Sequence, residues 1–288
     1  MNISKRNNKA PILGIRRHRL LRDGSGVRTL IGFYGCPLSC KYCLNLECHD
    51  ILDKAYFRSV QDLLDDVKVD NLYFIASGGG ITFGGGEPLL YADFIADFIK
   101  EAPIHWNYSC ETSLNVETNK LKKVINLIDE FIVDIKDMSS RIYQEYTATN
   151  NSNVLFNMKL ICRMNLFDKV KVRVPLIPGY NSDDDITKSK RILNSMGFSR
   201  FEDLTYVTDI YHEKSEENER LYNGMNWGKI TCEVLKRIRT TVARHHNIPF
   251  NACSCPEKVC LSGSCLACEQ ELKSLTEIIN STFASKGS

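Results

Sequence analysis

The sequence predicts an α/β protein, a partial barrel of six βα units followed by a cysteine-rich C-terminal extension. Three observations carry this. Short apolar runs alternate with amphipathic helical stretches between residues 30 and 210, the pattern of parallel strands with helices outside. A polar, glycine-rich or cysteine-rich cluster follows nearly every apolar run. The stretch is also shorter than the about 250 residues of a full eight-unit barrel. An open doubly wound sheet is the alternative architecture.

The first predicted strand spans 30–34 and runs into a loop with three cysteines. A helix is expected over 57–68, with Val60, Leu63, Leu64 and Val67 at helical spacing. Residues 71–76 are apolar and strand-like. A strand over 80–83 enters Gly84-Gly85-Gly86-Glu87-Pro88. Helix 91–100 places Phe94, Ile95, Phe98 and Ile99 on one face. Strand 104–110 ends in Glu111-Thr112-Ser113, and helix 117–128 follows. Strand 130–135 ends in Asp134-Ile135-Lys136. Helices near 139–147 and 153–164 lead to strand 169–176. Asp183 is the expected cap of helix 184–196, its carboxylate accepting from first-turn amides. A last strand, 203–210, ends at Tyr211-His212. In a parallel α/β protein all these clusters share the carboxyl edge of the sheet, where sites are built.

Beyond residue 212 the pattern changes. Residues 213–226 are charged and polar, a loop. Helix 226–244, a second cysteine cluster and a closing helix over 267–282 complete the chain. Two regions are expected: a core, 1–225, and a helical cysteine-rich extension, 226–288.

The 288 residues carry a net charge of +2 and are 43% hydrophobic. Near-neutrality gives no footprint of a nucleic-acid or membrane-surface binder. The basic run from Lys5-Arg6 to Arg19 reads as a solvated face, with an anion contact as the minority reading. The first twenty residues lack a continuous apolar core, and no apolar run reaches the ~20 residues of a membrane span. Twelve cysteines in such a chain point to metal ligation in a reducing cytoplasm rather than to a disulfide scaffold. Cys110, Cys162 and Cys232 stand alone and read as buried small hydrophobes.

Cys36, Cys40 and Cys43 are spaced CxxxCxxC. Three thiolates at this spacing suit three irons of a 4Fe–4S cluster and leave the fourth open; electron carriers normally use four ligands. An open iron is poised to bind a small molecule, and radical chemistry with S-adenosylmethionine (SAM) is a known use. The alternatives are a zinc site, which normally wants four closed ligands, or buried thiols.

Several motifs together resemble the radical SAM superfamily, and within it the activating enzymes of glycyl radical enzymes. Asp23-Gly24-Ser25-Gly26-Val27-Arg28-Thr29 is similar to the motif that precedes the family's cluster loop. Gly35-Cys36-Pro37 through Tyr42-Cys43 is similar to the loop itself. Thr82-Phe83-Gly84-Gly85-Gly86-Glu87-Pro88 differs from the family form by a glycine for a serine. Val172-Arg173 through Pro178-Gly179 and Asp183-Asp184-Asp185 match a late stretch. The resemblance covers roughly residues 12–212. It implies that Cys36, Cys40 and Cys43 ligate a 4Fe–4S cluster and that Gly85, Gly86 and Glu87 bind the SAM amino group. Tyr42 would lie near the adenine. Glu111, Thr112, Asp134 and Lys136 would surround the methionine carboxylate, although the family usually has aspartate where Glu111 stands. Arg173 and His212 would meet cofactor or substrate. Plainer readings remain: Glu111 and Thr112 as a helix cap, Lys136 as a solvated charge, His212 as a loop histidine.

The resemblance further implies a glycyl radical enzyme as substrate and a flavodoxin- or ferredoxin-type electron donor. Family members with further clusters carry an insert after the first loop; here Cys253, Cys255, Cys260, Cys265 and Cys268 lie near the C-terminus instead. Four of these five suit a second 4Fe–4S cluster, with zinc the less favoured occupant. Auxiliary C-terminal clusters occur in radical enzymes that modify peptides, so a peptide- or small-molecule-modifying enzyme is the second functional reading.

Overall fold

The computed structural model describes residues 9–20, 23–49, 55–204, 206, 221–222, 225–253 and 265–284. In chain order the elements are β1 (Lys9–Leu20), β2 (Val27–Phe33), β3 (Tyr56–Ser59), α1 (Val60–Val67) and α2 (Asn71–Ser77). Next come β4 (Gly80–Gly85), α3 (Ala92–Glu101), β5 (Asn107–Thr112), α4 (Thr118–Val124) and β6 (Glu130–Asp134). Then follow α5 (Ser140–Thr147), α6 (Ser152–Arg163), β7 (Val170–Arg173), α7 (Asp183–Ser195) and β8 (Phe201–Glu202). A small hairpin of β9 (Leu221–Tyr222) and β10 (Met225–Asn226) precedes α8 (Trp227–His245) and α9 (Leu266–Ala284).

One eight-stranded sheet runs β3-β1-β2-β4-β5-β6-β7-β8. From β2 to β8 each neighbouring pair is parallel, which gives the six parallel strands expected of the partial barrel. β1 and β3 extend it on one side as antiparallel strands.

Strand periodicity sorts the faces. Ile31, Phe33, Ile81, Phe83, Tyr108, Cys110, Phe131, Val133, Val170 and Val172 are buried in the main core with the helices. The alternate positions, Arg28, Thr82, Asn107, Ser109, Glu111, Asp134 and Arg173, present polar groups on the other face. Arg28 is wholly buried there, donating to Thr82 Oγ1 and Asn107 Oδ1, each at 2.8 Å. It ties together the starts of β2, β4 and β5.

The structure corrects several expectations. Residues 71–76 form a helix: Leu72, Tyr73 and Phe74 are buried, and Gly78, at φ 65°, caps the end in the left-handed region. Residues 57–59 belong to β3, and the helix starts at Val60. The cap of α7 is Ser182, in a reciprocal capping box with Asp185, not Asp183. The last strand of the large sheet is Phe201–Glu202, and Asp203, Leu204 and Tyr206 of the expected strand are not in it; residues 205 and 207–210 lie outside the described residues.

The described part of the basic N-terminal run lies in β1 and is only partly a solvated face. Lys9 and Arg16 are exposed, Arg17 and Arg19 are half-buried and His18 is 5% exposed, while residues 5–8 lie outside the described residues. Asp70, wholly buried, accepts from Arg17 (2.7 Å to Nη2), Thr29 Oγ1 (2.8 Å) and pairs with His18 Nε2 (2.9 Å). A carboxylate from the stretch before α2 recruits Arg17 and His18, a partner 53 and 52 residues away that local pattern does not reveal.

α8 and α9 pack on α2 through a second apolar cluster containing Val27, Leu72, Tyr73, Leu235, Ala243, Leu272 and Leu275. Among the described residues no helix is long and apolar enough to cross a membrane.

Candidate active site

β2 delivers the chain into the cysteine loop at the carboxyl edge. Backbone hydrogen bonds hold that loop: Gly35 N–H donates to Cys48 O (2.9 Å), Ser39 N–H to Thr147 O (2.9 Å) and Lys41 N–H to Tyr146 O (3.2 Å). Asn45 Nδ2 donates to Gly85 O at 2.8 Å, joining it to the glycine loop. Cys36, Cys40 and Cys43 are all half-buried. Burial pushes the Cys36 thiol up to about 12 and the Cys40 thiol to about 11. The Cys48 thiol, donating to Cys43, lowers the latter to about 6. Cys43, Cys48 and His49 have ligand atoms within 4.8 Å of one another.

The glycine loop needs its glycines for steric reasons. Gly85 has φ +94°, and a Cβ there would meet Phe33 N at 2.7 Å. A Cβ on Gly86 would lie 2.1 Å from the Gly35 carbonyl oxygen. Close approach of the two loops is possible only without side chains.

Glu87 is wholly buried. Its carboxylate accepts from Thr112 Oγ1 (2.6 Å), Ser113 Oγ (2.6 Å), Ser113 N–H (2.9 Å) and Leu89 N–H (3.2 Å). Burial raises its pKa, while these donors oppose the shift. Glu87 thus clasps the end of β5, and it reaches a ligand only by exchanging one of these bonds. Thr112 is engaged in the same clasp.

On the polar face, Arg173 lies between two carboxylates. Its Nη1 is 2.9 Å from Glu111 Oε1 and its Nε 2.5 Å from Glu202 Oε2. Burial opposes its charge, but the two glutamates raise its pKa. Glu111 is raised by burial and by Asp23, against Arg173. Lys136, only 7% exposed, donates to Asp134 Oδ2 (2.5 Å) and Tyr206 Oη (2.6 Å); it is not a solvated charge. Burial would lower its pKa, yet Asp134, Tyr206 and Cys40 hold it well above its ordinary value.

Tyr42 donates to Pro178 O at 3.2 Å, and its ring contacts Tyr146 and Tyr180. Tyr146 in turn meets Tyr180 and Tyr206. Of the tyrosine cluster the sequence pointed only to Tyr42; Tyr146, Tyr180, Tyr206 and Asn45 escaped it, and Ser113 appeared only as part of the polar turn after β5. Asn45, two residues past the last loop cysteine, was the detectable one. His212, Cys255 and Cys260 lie outside the described residues; Cys253 follows α8, and Cys265 and Cys268 stand at the start of α9.

The donor set fits a 4Fe–4S cluster: three half-buried thiols on one fixed loop, with the Lys136 charge favouring a Cys40 thiolate. It also suits a ligand ammonium, because Asp134 Oδ1 is buried with no hydrogen-bond partner among the described residues. A buried acceptor left so is costly unless a donor arrives. A concavity lined by Gly24, Asn107, Glu130, Lys171 and Arg200 sits at the opposite, amino edge and holds none of these groups.

Residues 30–189 match the sequence profile of the radical SAM superfamily. Pyruvate formate-lyase 2-activating enzyme of Escherichia coli K12 is 29% identical over 256 residues, spanning 78% of this chain and 84% of that protein. Pyruvate formate-lyase-activating enzyme of Staphylococcus aureus is 30% identical over 194 residues, 64% of this chain and 76% of its own length. Streptococcus suis SuiB, solved bound to precursor peptide SuiA, superposes with a TM-score of 0.50 at 14% identity over 76% of this chain. The superposition spans less than half, 46%, of the SuiB chain, and the likeness is one of fold.

Proposed function

The chain belongs to the radical SAM superfamily, and from this we propose that it activates a glycyl radical enzyme by removing a hydrogen atom from a backbone glycine. The 29–30% identity to two activating enzymes over most of their length carries the reading. We assign residues 1–225 to the catalytic core and 226–288 to an extension packed on α2.

Cys36, Cys40 and Cys43 would ligate the 4Fe–4S cluster. When bound, cluster and SAM together supply a 5′-deoxyadenosyl radical that abstracts the substrate hydrogen. The chain's own residues bind and orient. Gly85 and Gly86 let a ligand approach the backbone. Asp134 Oδ1 offers an acceptor for the amino group, and Lys136 a donor for the carboxylate. Tyr42 and its neighbouring tyrosines line the adenine side and exclude water. Glu87 and Thr112 hold the loop in place, while Glu111, Arg173 and, by resemblance, His212 border the substrate side. The electron donor is of flavodoxin or ferredoxin type, and the setting is the cytoplasm.

The test is anaerobic incubation of the reconstituted protein with reductant, SAM and a glycyl radical enzyme encoded nearby. The expected result is 5′-deoxyadenosine together with a glycyl radical signal by electron spin resonance. Cleavage of SAM without that signal, with a mass change on a short peptide instead, would sink the activase reading and favour peptide modification.

A further inference from the structure

Cys232 carries no motif in the sequence, yet it does not stand alone in the fold. It is 1% exposed and packs against Cys268, equally buried, with half-buried Cys265 beside them. Cys265 directly precedes α9 and Cys268, three residues on, lies in its first turn. Cys253 approaches the same helix: its N–H donates to Glu271 Oε1 at 2.5 Å, and Glu271 is three residues past Cys268. Cys268 is also close enough to Cys253 for their charges to interact. Three segments of chain thus bring four thiols to one region.

Two cations and one carboxylate, Glu271, border that region. Cys232, Lys236 and Arg239 lie at i, i+4 and i+7 of α8, one face of the helix. Lys236 feels both Cys232 and Cys253. Arg239 is wholly buried and donates to Tyr73 Oη (2.6 Å) and Glu271 Oε2 (2.8 Å). Its Nε has no hydrogen-bond partner among the described residues, and its charge interacts with Cys268. A buried guanidinium with a spare donor beside clustered thiols is costly unless an acceptor occupies the space.

We infer that Cys232, Cys253, Cys265 and Cys268 hold a second iron–sulfur cluster, with Arg239 and Lys236 balancing its negative charge. The inference stands apart from the activase reading, since it concerns metal and not substrate. Four thiolates are the usual complement of such a cluster. A single zinc ion, with bonds of ~2.3 Å, would gather its sulfurs to roughly 4 Å from one another. Among the described residues only Cys43, Cys48 and His49 form a trio within 4.8 Å. No three C-terminal thiols among the described residues, and not Cys36, Cys40 and Cys43 together, meet that limit, although Cys265 and Cys268 are in contact. A cluster of several irons holds its thiolates farther apart than one zinc ion does. On this assignment Cys232 joins three of the five cysteines between residues 253 and 268; Cys255 and Cys260 lie outside the described residues.

The full chain carrying Cys36→Ala, Cys40→Ala and Cys43→Ala, reconstituted anaerobically with iron and sulfide, tests this. It should retain about four irons and four sulfides per chain. Adding Cys232→Ala should abolish them, whereas adding Cys255→Ala with Cys260→Ala should not. In the otherwise native chain, Cys232→Ala should halve the iron and leave the SAM-responsive resonance signal of the first cluster, which shows the fold intact. No iron in the triple variant, zinc in place of iron, or full iron retention with Cys232→Ala would each overturn the assignment.

Discussion

Arg173 on β7 reaches across β6 to Glu111 on β5, with Nη1 2.9 Å from Oε1. An inward arginine on a barrel strand needs an anion, and the protein supplies two of its own, Glu111 and Glu202. Arg173→Met should destabilise the fold by about 1.5–3 kcal/mol, the range for hydrogen bonds to charged groups. Glu111→Gln should cost less in the variant background than in the native one. A double-mutant cycle read by urea unfolding measures this coupling. Zero coupling would show that the pair acts separately.

Glu87→Ala should weaken the protein more than it weakens charge recognition. Removing the carboxylate strands the Ser113 N–H and two hydroxyl donors in the interior, at about 1–3 kcal/mol for a buried unsatisfied group. Glu87→Gln should lie between, because its amide presents donors to donors. Melting temperatures of the two variants, compared with SAM affinity, separate the effects. A Glu87→Ala protein with native melting and no SAM binding would reverse this ordering.

Gly86→Ala should break the contact between the loops, since its Cβ would meet the Gly35 carbonyl oxygen at 2.1 Å. The expected cost is about 3 kcal/mol, at the upper end of overpacking, with loss of cluster uptake. Gly84→Ser should be milder. Its Cβ meets the tip of Leu30 at 3.0 Å and Glu111 Oε2 at 3.3 Å, and the latter can accept from a hydroxyl. Iron content and urea midpoints of the two variants test the difference.

Asp70 should make the protein sensitive to acid. Although burial opposes its charge, the bonds from His18 and Arg17 lower its pKa to about 2. A depressed carboxylate contributes stability that is complete above its unfolded pKa and is lost as pH falls through the folded one. The window is therefore about pH 4 down to pH 2, and the contribution is about 2 kcal/mol. Asp70→Asn should flatten the stability curve there while costing stability at pH 7. An unchanged acid limb would contradict the assignment.

The parallel core was legible because each strand repeats one local pattern: an apolar run, then a polar loop, then an amphipathic helix. Position in the βα unit alone placed Glu87, Glu111, Asp134 and Arg173 at one edge. Contacts between distant segments were not legible. Arg17 and His18 looked solvated because Asp70 lies 53 and 52 residues on. Residues 71–76 read as a strand because a short apolar run carries no reliable period. Cys232 looked inert because its companions lie beyond a turn in the chain. The engagement of Arg173 by Glu202 likewise depends on β8 pairing beside β7.

The cysteine loop is fastened by Gly35, Ser39, Lys41 and Asn45 through bonds that involve no sulfur. Small zinc domains differ, because there the metal's binding energy is the folding energy. Because these bonds involve no sulfur, the loop's backbone should keep its course whether iron is loaded or lost. Amide hydrogen exchange at Ser39 and Lys41 should accordingly be alike in the iron-free and the loaded protein.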